Sequence, residues 1–217
     1  GSTHGTNEYP FLIDEDGISV LPVTSLGLHQ IASKVRVSSG VTRLDSMLGG
    51  AGYFRGSSVL VSGTAGTGKT SLAAHFAVAA CRRGERALFI TFEESPSQIM
   101  RNMRSIGIDL EPWVQKGLLR FQANRPTSAG LEMHLTMIHK TIKSFKPQVA
   151  IVDALTSFII ESNETEVKAM IMRLVDLLKM SQTTSLFTSL SLSTGALEQT
   201  QIAIASMFDT WLLVRDI

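Results

Sequence analysis

The segment Gly63-Thr64-Ala65-Gly66-Thr67-Gly68-Lys69-Thr70 constrains this chain more than any other. It fits G-x-x-x-x-G-K-[ST] in full, between the apolar run Val59-Leu60-Val61 and the Ala-rich stretch Ser71 to Arg82. A strand, a glycine-rich turn and a helix in that order form a phosphate-binding loop. Glycines let successive backbone N–H groups curl around an anion with no Cβ in the way. The following helix aims its unpaired N–H groups and its dipole at the same point. In such a loop Lys69 reaches the β- and γ-phosphates and the Thr70 hydroxyl ligates Mg²⁺.

From Gly40 onward the texture alternates strand and helix. Ala87 to Phe92, Leu118 to Gln122, Gln148 to Val152, Ser185 to Leu190 and Trp211 to Val214 read as strands. Ser97 to Ile106, Leu131 to Phe145 and Glu166 to Met180 read as helices, the second with apolar spacing at Leu131, Leu135, Ile138 and Ile142. Met170, Met172 and Met180 join Ile171, Leu174, Leu177 and Leu178 in an apolar face of the third, explained by core packing. Strands separated by helices predict right-handed crossovers and a largely parallel α/β sheet with helices on both faces. Ahead of it, Phe11-Leu12-Ile13 and Ile18 to Val23 flank Asp14-Glu15-Asp16-Gly17, a hairpin with an Asp-Gly turn. Thr24 to Ser39 reads as a polar linker. The expected division is a leading segment at 1–31 and one domain at 32–217.

Two acidic sites fit beside the loop. Val149 to Val152 is a buried strand that delivers Asp153 at its carboxyl end, where a carboxylate holds Mg²⁺, often through water. A cap on the next turn is the alternative. Glu93 and Glu94 follow the strand ending at Phe92, on the side where ligands gather in open α/β sheets. A carboxylate there can polarise a water or hydroxyl, worth about 10²–10⁴ in rate. Neighbouring residues point to opposite faces, so the two glutamates do different jobs. Glu93 is expected as base or metal neighbour and Glu94 as its support; the alternative is that one caps the helix near Ser97.

Composition removes other classes. Apolar residues make up 44% and charged residues 18%, which supports a core and excludes disorder. Net charge is +1, from 20 basic and 19 acidic residues, which argues against polybasic nucleic-acid or membrane binding. No Lys, Arg or His occurs from Met180 to Val214, and Ser189 to Gln201 is rich in Ser and Thr, unlike a DNA-binding loop. The five histidines (His4, His29, His75, His134, His139) have no metal-ligand spacing, so packing or surface roles are expected. The single cysteine, Cys81, reads as a small core residue. With no secretory segment or bilayer-spanning apolar run, a cytoplasmic compartment is the default.

The phosphate loop, Asp153 and the Glu93-Glu94 pair together resemble the RecA-like P-loop ATPases. Arg36 to Asp45, Leu48-Gly49-Gly50, Phe92-Glu93-Glu94-Ser95, Arg101-Asn102, Ser128 to Glu132 and Asp209 to Ile217 narrow the resemblance to the KaiC circadian-clock ATPase family. The likeness runs along nearly the whole chain and is closest to the second of that family's tandem ATPase repeats. It implies a Mg²⁺-dependent ATPase and serine/threonine autokinase acting as a homo-hexamer, with ATP bound between subunits. By position, Gly63, Thr64, Ala65, Gly66, Thr67, Gly68, Lys69, Thr70, Ser71 and Asp153 hold the nucleotide. Thr70 and Glu93 hold Mg²⁺, and Glu93 is the catalytic carboxylate with Glu94 beside it. The family's Ser-Thr phosphoacceptor pair falls on Ala205-Ser206, so only Ser206 keeps a hydroxyl. The aromatic residue near the base aligns with Ile106. The resemblance also implies that residues 1–31 are the end of a preceding repeat plus linker. It further implies that the domain is incomplete at its C-terminal end, lacking a hairpin and a Lys-x-Arg segment that reach a neighbour's ATP. Kai-type clock or signalling proteins are the partners implied; nucleic acid and membrane are not. Two other classes stay open: a non-enzymatic, nucleotide-dependent assembly or signalling module, and a RecA-type recombination ATPase.

Overall fold

In the strand Ala87–Thr91, Leu88 and Ile90 point into one apolar cluster and Ala87 and Phe89 into another. The strand two crossovers on repeats this, with Ala150 and Val152 on one face and Val149 and Ile151 on the other. A strand apolar on both faces must lie inside a sheet covered twice. The computed structural model shows that arrangement and describes residues 11–14, 17–20, 32–125, 127, 130–159, 164–191 and 204–215.

The first elements are β1 (Phe11–Asp14), β2 (Gly17–Val20), β3 (Arg36–Val37), α1 (Thr42–Met47) and β4 (Tyr53–Phe54). Next come β5 (Ser58–Gly63), α2 (Lys69–Arg82), β6 (Ala87–Thr91), α3 (Pro96–Ser105), α4 (Glu111–Gln115) and β7 (Leu119–Ala123). The chain continues through α5 (Leu131–Phe145), β8 (Val149–Asp153), α6 (Thr156–Ile159), α7 (Glu164–Met180), β9 (Thr184–Leu190) and β10 (Thr210–Val214). Among the described residues six strands form one sheet in the order β10-β5-β9-β8-β6-β7, every neighbouring pair parallel. Helices α5, α6 and α7 cover one face; α2, α3 and α4 cover the other. β1 and β2 pair antiparallel as the expected hairpin, with Asp14 opposite Gly17.

Two expectations change. The polar stretch ending at Ser39 is not a linker along its whole length, since Arg36–Val37 pairs with Tyr53–Phe54 in a small ribbon. Val37 and Ser39 are buried, and Asp45 accepts bonds from Ser38 Oγ at 2.5 Å and from Ser39 N at 2.8 Å and Oγ at 2.6 Å. Short alternating stretches of this kind carry little hydrophobic signal. In α7, Met170 is in the core, whereas Met172 and Met180 are exposed, so the apolar stripe is narrower than its composition suggests. Cys81 is buried, and His134 packs edge-on against Phe92 and Phe158, both as expected for core residues.

Edge strand β10 is fastened to the start of the phosphate-loop strand. Asp209 Oδ2 accepts Ser58 N at 2.7 Å and Ser58 Oγ at 2.9 Å, while Oδ1 accepts Lys179 Nζ at 2.8 Å. Burial pushes the Asp209 carboxyl up, but the bonds from Lys179 and Ser58 outweigh it and hold it below the ordinary aspartate value. A depressed carboxylate stabilises the fold above its unfolded pKa and loses that contribution as pH falls through the folded value. Asp209→Asn should therefore cost about 1 kcal/mol at neutral pH, a figure already reduced for solvent screening. The gap from wild type should start to shrink only below about pH 4, as pH falls toward the depressed folded value. Urea unfolding at both pH values checks this; an equal gap at each contradicts it.

Candidate active site

Strand β5 ends at Gly63 because its carboxyl end is pressed against β10. A Cβ there would stand 2.5 Å from Val214 O and 2.8 Å from Thr67 Oγ1. The chain then turns through Gly66 and Gly68, both left-handed, with φ of +83° and +86°. A Cβ at either of these meets nothing within 4 Å, so the loop leaves an open concavity. Lys69 Nζ donates to Gly63 O at 2.9 Å and Thr64 O at 2.6 Å, closing the loop around the ammonium. Burial pulls the Lys69 pKa down from its ordinary value, and the carboxylates of Asp153 and Glu93 partly restore it.

Helix α2 begins at Lys69 behind Gly68, with no side-chain cap and no acidic residue in its first turn. Its first N–H groups are thus left to an anion from outside the chain, which fits a phosphate group. A helix built to stand alone would place Ser, Asp or Asn at that position, as α3 does. There Ser95 Oγ accepts from Gln98 N and Gln98 Oε1 accepts from Ser95 N, just before Pro96. Ser95 is therefore the cap of α3, and neither Glu93 nor Glu94 has that job.

Thr70 Oγ1 donates to Asp153 Oδ2 at 3.0 Å, joining α2 to the end of β8. Thr188 Oγ1, on the intervening strand β9, donates to the other oxygen, Oδ1. Asp153 thus bonds neighbouring elements and does not cap α6. Burial pushes its carboxyl up, the charges of Glu93 and Glu94 add to this, and the bonds from Thr188 and Thr70 oppose it. The peptide between Asp153 and Ala154 is cis. Glu93 and Glu94 are exposed beyond the end of β6, next to β8 in the sheet. Glu93 Oε1 accepts Ser157 Oγ at 2.7 Å, and Glu94 Oε2 accepts Asn102 Nδ2 at 3.0 Å. The two glutamates turn to different partners. A cleft of about 180 Å³ adjoins them, lined in part by Gln98, Asn124 and Arg125.

Among the described residues no three His, Cys, Asp or Glu side chains are grouped as a metal site. Mg²⁺ fits here only in company with nucleotide, because it keeps waters and takes one or two protein oxygens plus phosphate oxygens. Thr70 Oγ1, Asp153 and Glu93 supply donors of that kind. Ser206 is exposed and follows Ile204 and Ala205, which belong to the apolar cluster on the α5–α7 face. Helix α2, leading from the phosphate loop, covers the opposite face. The structure brings Lys69, Thr70, Asp153 and Glu93 into one neighbourhood, whereas Ser206 adjoins the Ile204 and Ala205 part of the apolar cluster. Ile106 is exposed, and the region Ser189 to Gln201 lies mostly outside the described residues. Sequence reasoning missed Thr188 and Ser157, which stand beside other hydroxyl residues (Ser189 and Thr156) and carry no motif of their own.

The loop glycines divide by role. Gly63→Ala should lower stability by about 1–3 kcal/mol through overpacking against β10. Gly68→Ala should cost about 1–2 kcal/mol of backbone strain while weakening nucleotide binding severalfold. Denaturant unfolding with labelled-ATP titration of both variants checks the split; the reverse assignment contradicts it.

Comparison with known proteins agrees with this geometry. Residues 37–208 match the family model described as ATPase: KaiC. The chain is 51% identical over 214 residues to the circadian clock protein KaiC2 of Synechocystis sp. (strain ATCC 27184 / PCC 6803 / Kazusa), covering 98% of this chain and 38% of that protein. It is 40% identical over 216 residues to the circadian clock oscillator protein KaiC of Picosynechococcus sp. (strain ATCC 27264 / PCC 7002 / PR-6), covering 99% of this chain and 42% of that one. The chain thus spans about two fifths of the length of the curated relatives it matches. With its RecA-like parallel sheet and its phosphate loop, this chain belongs to the KaiC family of ATPases.

Proposed function

We propose that this chain binds Mg-ATP and, in an assembly of copies, transfers its γ-phosphoryl group either to water or to a serine of the protein itself, releasing ADP. The observation that carries the reading is the convergence of four groups from three elements. Lys69 and Thr70 start α2, Asp153 ends β8, and Glu93 follows β6.

Each group has a task set by its chemistry. Lys69 leaves its two loop carbonyls for phosphate oxygens, exchanging neutral acceptors for charged ones. Gly63 to Ser71 supply the loop and the uncapped first turn of α2. Mg²⁺, when bound with the nucleotide, neutralises charge across the β- and γ-phosphates; Thr70, Asp153 and Glu93 would hold it, directly or through water. Glu93 accepts the proton of the attacking water or hydroxyl, and Glu94, held by Asn102, stands beside it. Transfer to Ser206 from ATP bound between copies accords with the arrangement that the family resemblance implies. We take the assembly to be the hexamer that the family resemblance implies. The relatives' names further suggest clock or signalling proteins as readers of the state.

Ala205, in place of a second hydroxyl, favours one rival: a module that uses nucleotide to set its assembly without phosphotransfer. The readings separate when mass, phosphate release and phosphopeptides are measured together with Mg-ATP. The proposal expects a nucleotide-dependent oligomer, released phosphate and label on Ser206, with Lys69→Ala losing ATP affinity about a hundredfold. Assembly without phosphate release supports the rival. Equal weak ATP binding by wild type and Lys69→Ala sinks both.

A further inference from the structure

Ser157 has no part in the reaction as described, yet its side chain bonds directly to Glu93. Its Oγ donates to Glu93 Oε1 at 2.7 Å from α6, a residue 9% exposed meeting a carboxylate that faces solvent. The residues next to the pair are anchored from below. Phe92 and Phe158 are buried, with ring centroids 4.4 Å apart at 71°. Buried His134 lies near-perpendicular to Phe92 and at 71° to Phe158, at 5.8 and 5.5 Å. Phe92 N donates to Asp153 O at 3.0 Å, and Leu155 N donates to Thr188 O at 2.8 Å. Leu190 N donates to Thr156 Oγ1 at 3.1 Å, so the start of α6 is tied to β9 as well.

An exposed glutamate explores several rotamers, and restricting it costs about 1 kcal/mol or more of entropy. A hydroxyl on a buried, braced turn removes that freedom before substrate arrives. We propose that Ser157 is the positioning residue for Glu93: it fixes the carboxylate through Oε1 and leaves Oε2 to accept the proton. The inference rests on Glu93 being the base. It adds that the aromatic cluster of Phe92, His134 and Phe158 sets the base's geometry through Ser157.

The test uses Ser157→Ala, Ser157→Thr, Glu93→Gln and the double variant Ser157→Ala/Glu93→Gln in the preparation where wild type releases phosphate. Ser157→Ala should lower kcat about tenfold with KM for Mg-ATP within about twofold, and Ser157→Thr should recover most of the loss. Affinity for ADP with aluminium fluoride, a mimic of the phosphoryl group in flight, should fall by a similar factor while ATP affinity holds. On the Glu93→Gln background, Ser157→Ala should add nothing. Wild-type kcat in Ser157→Ala, an additive loss in the double variant, or phosphate mapped to Ser157 itself would each overturn the positioning role. So would a nucleotide-free crystal structure with Glu93 out of hydrogen-bond reach of Ser157, a readout independent of turnover. Wild-type turnover in Glu93→Gln contradicts the base reading instead, which keeps the two failures apart.

Discussion

The ammonium of Lys69, held by the carbonyls of Gly63 and Thr64, is the interaction on which the rest of the molecule depends. It closes a loop whose two left-handed glycines leave room for an anion, and it opens a helix with no cap of its own. A half-buried cation bonded to neutral acceptors is poorly compensated, and phosphate oxygens are better partners. Each of these features costs an isolated fold something, and one bound anion satisfies them together.

The sheet's task is to bring carboxylates to that loop without neutralising it. In the order β5-β9-β8-β6, one strand separates the phosphate loop from Asp153, and Glu93 follows on the next. The gap is bridged by hydroxyls. Thr188 on β9 and Thr70 on α2 both donate to Asp153, and Ser157 donates to Glu93. Hydroxyl donors hold a carboxylate in place while leaving its charge available to a metal or a proton, which an arginine partner would not do. This separates the site from the scaffold, where Glu85 is clamped by Arg55 and Arg83 and Asp209 by Lys179.

Much of this was legible in the chain itself. The motif from Gly63 to Thr70 carries its own backbone geometry, and strands apolar on both faces announce a doubly covered parallel sheet. Glu93, Glu94 and Asp153 followed from one rule, that ligands gather where such strands end. What escaped has a physical reason. Arg36–Val37 with Tyr53–Phe54 forms a ribbon of two-residue strands, too short to show a period. Thr188 and Ser157 stand among other Ser and Thr residues from which nothing local singles them out, and their partners are 35 and 64 positions away. Only the folded register shows that those hydroxyls meet carboxylates.

A crystal structure with Mg²⁺ and a non-hydrolysable ATP analogue tests the central claim most directly. It should show Lys69 Nζ withdrawn from Gly63 and Thr64 and bonded to β- and γ-phosphate oxygens. The first-turn N–H groups of α2 should be on the phosphates, and Thr70 Oγ1 should be on the metal. Nucleotide bound elsewhere, or Lys69 still engaged with its two carbonyls, would contradict it.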